Sequence, residues 1–301
     1  MNKLLLVSFC FLFFTGEFSF AQIHEIGFQA GASNYYGDLS GENKTIRATG
    51  LLPQVKAFHP AAGMYYRYQA STWVGVKISA NYTRLSGNDA FTKASMTETG
   101  YARKMRNLNF RTDIIESSME IEYNFLRFIP GTMKNRVTPY VGGGLGFFYI
   151  NPKAKLDGKW VALRPLCTEG QGFDKYMPRR KYAPIQAMIP VSAGLKFKLA
   201  KNITAGIDFT YRFTFTDYID DVSTDYINPV DFYTNLDLNK AQLAHELYKR
   251  SDELNLPNAE AYTQLGYQRG NPHSKDSYFM ILTHISYHFL NGGYKCFLFG
   301  R

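Results

Sequence analysis

Charged residues recur at every second position in several stretches of this chain, and that spacing is where chemistry can be sought. Glu116, Glu120 and Glu122 alternate with apolar residues, as do Lys196 and Lys198, while Arg67, Lys77, Asp208 and Arg212 hold equivalent positions elsewhere. Two carboxylates in different surroundings can divide acid and base roles, which makes Glu120 and Asp208 a candidate general acid/base pair. The competing reading is structural: charges enclosed together pair with one another, because a lone enclosed charge is costly. Asp217, Asp220, Asp221 and Asp225 offer the oxygen ligands that Ca²⁺ needs, without the glycine and terminal glutamate of a calcium-binding helix-loop-helix. A rim cluster that orders a strand end competes with that metal reading. The histidines His24, His59, His245, His273, His284 and His288 fall in different segments. No Cys-x-x-Cys, Gly-x-Ser-x-Gly, Ser-x-x-Lys, His-Glu-x-x-His or phosphate-binding glycine loop is present. The expectation is a protein that is not an enzyme and carries no cofactor.

Charges at alternate positions require an element of period two. The clearest is Ile185 to Leu199, where Ile185, Ala187, Ile189, Val191, Ala193, Leu195, Phe197 and Leu199 alternate with polar or small residues. Such a run exceeds a typical soluble strand and suffices for a tilted membrane crossing. The short turn Ala200-Lys201-Asn202 leads into its partner, Ile203 to Phe215. Met64 to Tyr68 and Val74 to Thr83 repeat the hairpin, followed by Glu116 to Phe125 and Thr138 to Ile150. Gly142, Gly143, Gly144 and Gly146 strip the latter of side chains so that a neighbour can approach. The first strand runs from about Ile23 to Tyr36 and the last from about Ser277 to Phe289.

The connections alternate in length. Those from Gly37 to about Phe58, Leu85 to Phe110, Asn151 to Pro184 and Asp217 to Asp276 are long, and the intervening ones are short. Long outer loops and short periplasmic turns are the plan of an outer-membrane barrel, so the fold expected is all-β: an eight-stranded antiparallel transmembrane β-barrel, OmpA-like. At about eight strands the bore fills with side chains rather than leaving a channel. A secreted β-sandwich has shorter strands and lacks this asymmetry. A soluble ligand barrel would turn its apolar alternates inward. Asn239 to Leu254 is the expected helix, with Glu246 and Arg250 as an i,i+4 pair, capping the barrel mouth.

Residues 1–21 read as a signal peptide: Lys3, then the apolar run Leu4 to Phe14, then Ser19-Phe20-Ala21 before Gln22, with cleavage after Ala21. That run is too short to span a membrane as a helix. Cys10 lies within it rather than after the cut, which argues against a lipid anchor. The expected organisation is residues 22–289 as barrel and 290–301 as a short periplasmic tail. Tyr and Phe number 22 and 24 against 2 Trp, a bias suited to pleated surfaces and membrane interfaces. The formal charge of +9 is scattered, and export argues against nucleic acid as its target. Anionic lipid, an acidic partner or a plain solvated surface would accommodate it. By this topology Cys167 and Cys296 face opposite sides of the membrane and do not pair.

Glu25-Ile26-Gly27, Gly31-Ala32-Ser33-Asn34-Tyr35-Tyr36-Gly37-Asp38-Leu39 and Thr138-Pro139-Tyr140 together resemble the PorG-like outer-membrane barrels of Bacteroidetes type IX secretion. So do the run from Arg212 through Asp220-Asp221 to Thr224 and Arg269-Gly270-Asn271-Pro272 ahead of the last strand. The resemblance spans nearly the whole mature chain, and Ser277-Tyr278 departs from an Asp-Trp-Tyr-like start to the final strand. It implies a non-enzymatic structural component associated with a periplasmic lipoprotein ring built by PorK and PorN. The periplasmic contacts expected on that reading are Arg127, Lys134 and Arg136 in a turn, and Tyr294, Lys295, Cys296 and Arg301 in the tail. The alternative is an OmpA-like barrel whose outer loops bind an external ligand or surface.

Overall fold

The computed structural model describes residues 23–39, 58–91, 98–129, 132–133, 135–254 and 258–289. The signal segment with its cleavage site, Lys134, and the tail with Tyr294, Lys295, Cys296 and Arg301 lie outside the described residues. Eight described strands close into a barrel: β1 (Ile23–Tyr36), β2 (His59–Gln69), β3 (Val74–Asn88), β4 (Asn109–Asn124), β5 (Val137–Tyr149), β8 (Ile185–Lys198), β9 (Ile203–Thr214) and β10 (Ser277–Phe289). Each pairs antiparallel with its neighbour in the chain, and β1 meets β10, so no edge is left open. The remaining two, β6 (Lys153–Leu156) and β7 (Lys159–Ala162), form a hairpin that continues the wall beyond β4 through Arg111 and Lys153.

Alternation decides which way each side chain points. Phe28, Leu145 and Phe147 stand outward with 65, 67 and 63% of their surface uncovered, alongside Ile78, Ile121, Val191, Phe209 and Ile285. Arg67, Glu122 and Lys196 point into the bore and are fully enclosed. Apolar outside and charged inside is the arrangement of a barrel that spans a membrane, the reverse of a soluble one. Aromatic residues border the apolar belt, among them Tyr66, Tyr68, Tyr123, Phe125, Tyr287 and Phe289 at the short-turn end and Tyr82 and Tyr149 at the long-loop end. Gly144 is needed where β5 crosses β4, since a Cβ there would sit on the Met119 carbonyl.

Three expectations are corrected. Leu85 to Phe110 is not all connection: β3 continues to Asn88 and β4 begins at Asn109, because Leu85, Phe110 and Ile114 pack inside while Arg84 and Arg111 turn out. The apolar and polar faces exchange places there, so a search for outward apolar residues stops too early. The expected helix, α3 (Leu238–Tyr248), starts on Asp237, whose side chain accepts from the Lys240 amide at 3.1 Å. It ends before Leu254; Ser251–Leu254 is a separate 3₁₀ turn, and Arg250 pairs with Glu253 at 2.7 Å rather than with Glu246. Two further helices occur in the long loops, α1 (Glu98–Arg106) and α2 (Val230–Asn235).

Candidate functional site

The bore is filled with charges and an apolar cluster. Glu25, Glu116, Glu120, Glu122 and Asp208 share the interior with Arg67, Lys77, Lys196, Lys198 and Arg212, five carboxylates with five cations, of which the Glu116–Arg212 pair lies furthest toward the long loops. Glu122 is the hub. Its carboxylate lies 2.8 Å from Arg67 Nε, 2.6 Å from Lys196 Nζ and 3.6 Å from Lys77 Nζ. Lys77 sits 3.5 Å from Asp208 and 4.0 Å from Glu120, and Arg212 holds Glu116 at 2.7 Å. Arg67 also bonds Glu25, which the alternation Glu25, Gly27, Gln29 could have flagged.

Neutral groups complete the network. Tyr65 donates to Glu25 at 3.0 Å, Ser192 to Glu120 at 2.9 Å, Tyr278 to Glu116 at 2.6 Å, and Tyr140 to Asp208. His284 and His288 share the inward face of β10, facing Asp208 and Glu25 rather than each other. Glu120 and Asp208 are thus buried near one lysine, Lys77, and their surroundings are those of ion pairs. Lys198 differs from the others, since its ammonium donates to the Ile129 carbonyl at 2.8 Å and lies 4.7 Å over the Phe128 ring.

Phe128 closes the short-turn end. It is fully buried, and its amide donates to Thr72 at 3.0 Å across two turns. The outer surface of this end carries Arg127, stacked 5.9 Å from the Trp73 ring, and exposed Arg136, Phe125, Leu126 and Leu199. Segments 70–73, 125–136 and 199–202 contain no Asp or Glu. Toward the long loops an apolar cluster joins the charges: Leu85, Phe110, Ile114, Phe148, Met188, Met280 and Leu282 pack with Leu39, Ile219 and Val222 from the loops, with Glu116 opposite Phe148.

Above this, the long loops fold into a cap with its own core, in which Phe232 lies against Phe173 and Tyr248, and Ala241, Ala244 and Leu247 of α3 face Leu166 and Ile227. Two buried arginines tie the loops together. Arg106 grips Asp89 with two nitrogens at 2.8 and 2.9 Å and donates to the Asp38 and Arg269 carbonyls. Arg269 bonds Glu169 at 2.8 Å and the carbonyls of Asp221 and Tyr248 at 2.7 and 3.2 Å. Segments from all four long loops therefore meet at one pair of side chains. Cys167 is buried in this cap with no disulfide to another described residue, and burial pushes its ionisation up. Cys296, expected on the opposite side of the membrane and not to pair with it, is outside the described residues.

The four aspartates of the calcium reading are engaged by separate partners. Asp217 accepts from Ser223 at 2.7 Å, and Asp221 from Thr168 and Tyr182, each at 2.6 Å. Asp220 accepts from Tyr35 at 2.7 Å and from the Leu39 and Val222 amides at 3.0 Å, while Asp225 faces Arg179 at 3.5 Å. These donors come from different segments, so the carboxylates are held by separate partners, and Asp217 Oδ1 alone of these oxygens is buried without one. Among the described residues no group of His, Cys, Asp or Glu could hold a metal ion. Burial raises Asp217 to about 7 and Asp221 to about 6, with Arg269 opposing the latter. These groups brace the cap.

Comparison with known proteins supplies a family for this chain. The family model described as a domain of unknown function, DUF6089, matches residues 2–162. No curated protein matches the chain. Among solved structures, Ail, the attachment invasion locus protein of Yersinia pestis, is similar at 11% identity and a TM-score of 0.37, covering 89% of this chain and 99% of its own. Neisserial surface protein A is similar at 8% and 0.39, covering 88% and 97%. The N-terminal β-barrel domain of Pseudomonas aeruginosa OprF is similar at 10% and 0.35, covering 89% and 99%. The strand pairings described above establish the barrel independently of these, and over half its length this chain belongs to the DUF6089 family.

Proposed function

We propose that this protein is a non-enzymatic anchor in the outer membrane, the barrel component of a type IX secretion machine that holds a PorK/PorN-type ring lipoprotein and its partner on the periplasmic face. The observation that carries the anchoring half is the sealed bore: paired charges and an apolar cluster within, Phe128 beneath and the folded cap over all of it. A barrel so filled offers fixation rather than passage. The choice of assembly rests on the sequence resemblance. The turn surface, basic through Arg127 and Arg136 and free of carboxylates, suits an acidic periplasmic partner.

Deleting residues 290–301 tests the tail, and reversing Arg127 and Arg136 to Glu tests the turn. Loss of the ring lipoprotein on affinity purification of the barrel, with the barrel still assembled, is expected from at least one of the two. Full recovery of the ring from both variants together would refute the docking.

A second reading keeps the anchor but turns it outward: an OmpA-like barrel whose cap binds an external ligand or surface. The cap's separate core favours it, because loops that merely connect strands do not need one. Removing Asn239 to Leu254 discriminates between them. Secretion lost while the ring still co-purifies would move the function to the cap.

A further inference from the structure

Where the apolar belt meets the cap, the outward face of three adjacent strands changes character within one residue pair. Tyr82, Ile115 and Tyr149 are cross-strand partners and form the last apolar row. The next outward row places Arg84 against Asp113, Nε to Oδ1 at 2.7 Å. In the row above, Arg111 lies between Ser86 on β3 and Lys153 on β6. Lys155 follows, across the hairpin from Trp160, and the Arg111 guanidinium stands 4.2 Å from the Trp160 ring. Two residues along a strand advance about 7 Å, so these cations begin at the depth where acyl chains give way to head groups.

Their carboxylate supply is small. Asp113 is already engaged by Arg84 and by the Tyr82 hydroxyl at 3.0 Å. Arg111, Lys153 and Lys155 form no salt bridge with another described residue, and Arg111 Nε is buried without a hydrogen-bond partner. A guanidinium held over an indole is restrained while its remaining N–H groups stay available to a tetrahedral oxyanion. The lysines beside it add charge without fixing geometry.

We propose that Arg84, Arg111, Lys153 and Lys155, with Trp160 as platform, bind the phosphate groups of a phosphorylated lipid in the leaflet on the cap side. Position selects the lipid over a soluble phosphate: the cations stand directly above Tyr82, Ile115 and Tyr149, where a bound phosphate can keep its acyl chains on the barrel wall. The proposal rests on the transmembrane placement of the barrel and is independent of the secretion reading.

The test reconstitutes the full-length protein into phosphatidylcholine nanodiscs containing either bisphosphorylated lipid A or the same lipid with its phosphates removed. Native mass spectrometry then reads the lipid retained on each released barrel. Retention of the phosphorylated form should exceed that of the other by about tenfold or more, and Arg111→Glu with Lys153→Glu should remove most of the difference. Lys240→Glu, an exposed cation on α3, should leave it intact. Equal retention of the two lipids by the unaltered protein overturns the proposal, and that arm needs no variant to fold. Equal loss in Lys240→Glu would reduce the effect to net charge. Displacement of the lipid by millimolar inorganic phosphate would assign the site to free phosphate instead, and the lipid assignment would fall.

Discussion

Asp220 Oδ2 and Asp276 Oδ1 both lie within hydrogen-bond distance of a single hydroxyl, that of Tyr35, at 2.7 and 2.6 Å. One hydroxyl proton serves one acceptor at a time, so the second short contact requires a proton on a carboxyl group. Burial and the neighbouring Asp38 hold Asp220 well above the ordinary carboxylate range, and burial with Asp220 does the same for Asp276. The closed cap therefore binds more protons than an opened one, in which each aspartate returns to about 3.9.

Cap stability should accordingly be greatest near or below pH 4 and decline as pH rises, with Asp221 at about 6 and Asp217 at about 7 extending the fall through neutrality. Hydrogen exchange of the amides of Ile219 and Val222, corrected for intrinsic rates, should show more protection at pH 5 than at pH 8. Asp276→Asn should flatten that difference. Equal protection at both values in the unaltered protein rules out the shared proton.

Removing the hub of the bore should be costly. Glu122→Ala leaves Arg67, Lys77 and Lys196 facing one another, and breaking such a buried network costs about 3–5 kcal/mol. Urea unfolding in lipid vesicles, followed by Trp fluorescence or gel mobility, should give a lower midpoint than in the unaltered protein. An unchanged midpoint would mean that water already reaches the network.

The sealed bore predicts electrical silence. Purified protein in planar bilayers should show no steady ohmic conductance, and Phe128→Ala should not create one, because the paired charges lie above that residue. A stable open level in the unaltered protein would refute the plugged barrel.

Phe232→Ala should loosen the cap alone. The side chain is fully buried against Phe173 and Tyr248, and such truncations cost about 3–5 kcal/mol. Trypsin should then cleave within residues 215–276 faster than before, while the heat-modifiable mobility of the barrel persists. Simultaneous loss of both would show that cap and barrel fold as one unit.

How much of this could be read from the chain varies with the environment each residue meets. Ile185 to Lys198 was legible because lipid on one side and charges on the other keep its period in phase throughout. Arg67, Lys77, Glu116 and Glu122 were placed in the bore by the same parity, although which carboxylate meets which cation depends on stagger between strands, which no single sequence displays. The far ends of β3 and β4 were hidden by the exchange of faces at Tyr82 and Arg84. Asp217 to Asp225 looked like a ligand cluster because composition does not report partners; Tyr35, Thr168, Tyr182 and Ser223 supply the donors that engage those carboxylates separately. Arg106 and Arg269 carried no spacing signal, since their partners come from separate loops.

The exchange of faces also sets how deeply the molecule can sit. A slide of the molecule by one residue pair toward the short turns would draw Arg84 into hydrocarbon, and a slide toward the cap would carry Leu145 and Phe147 nearer to water. Both moves are penalised, so immersion is fixed by the wall itself. A bilayer thicker or thinner than the span between Phe125 and Tyr149 must then deform around the barrel, at fractions of a kcal/mol per Å of mismatch. The protein is in that sense a gauge of membrane thickness, calibrated by the row at which tyrosine gives way to arginine.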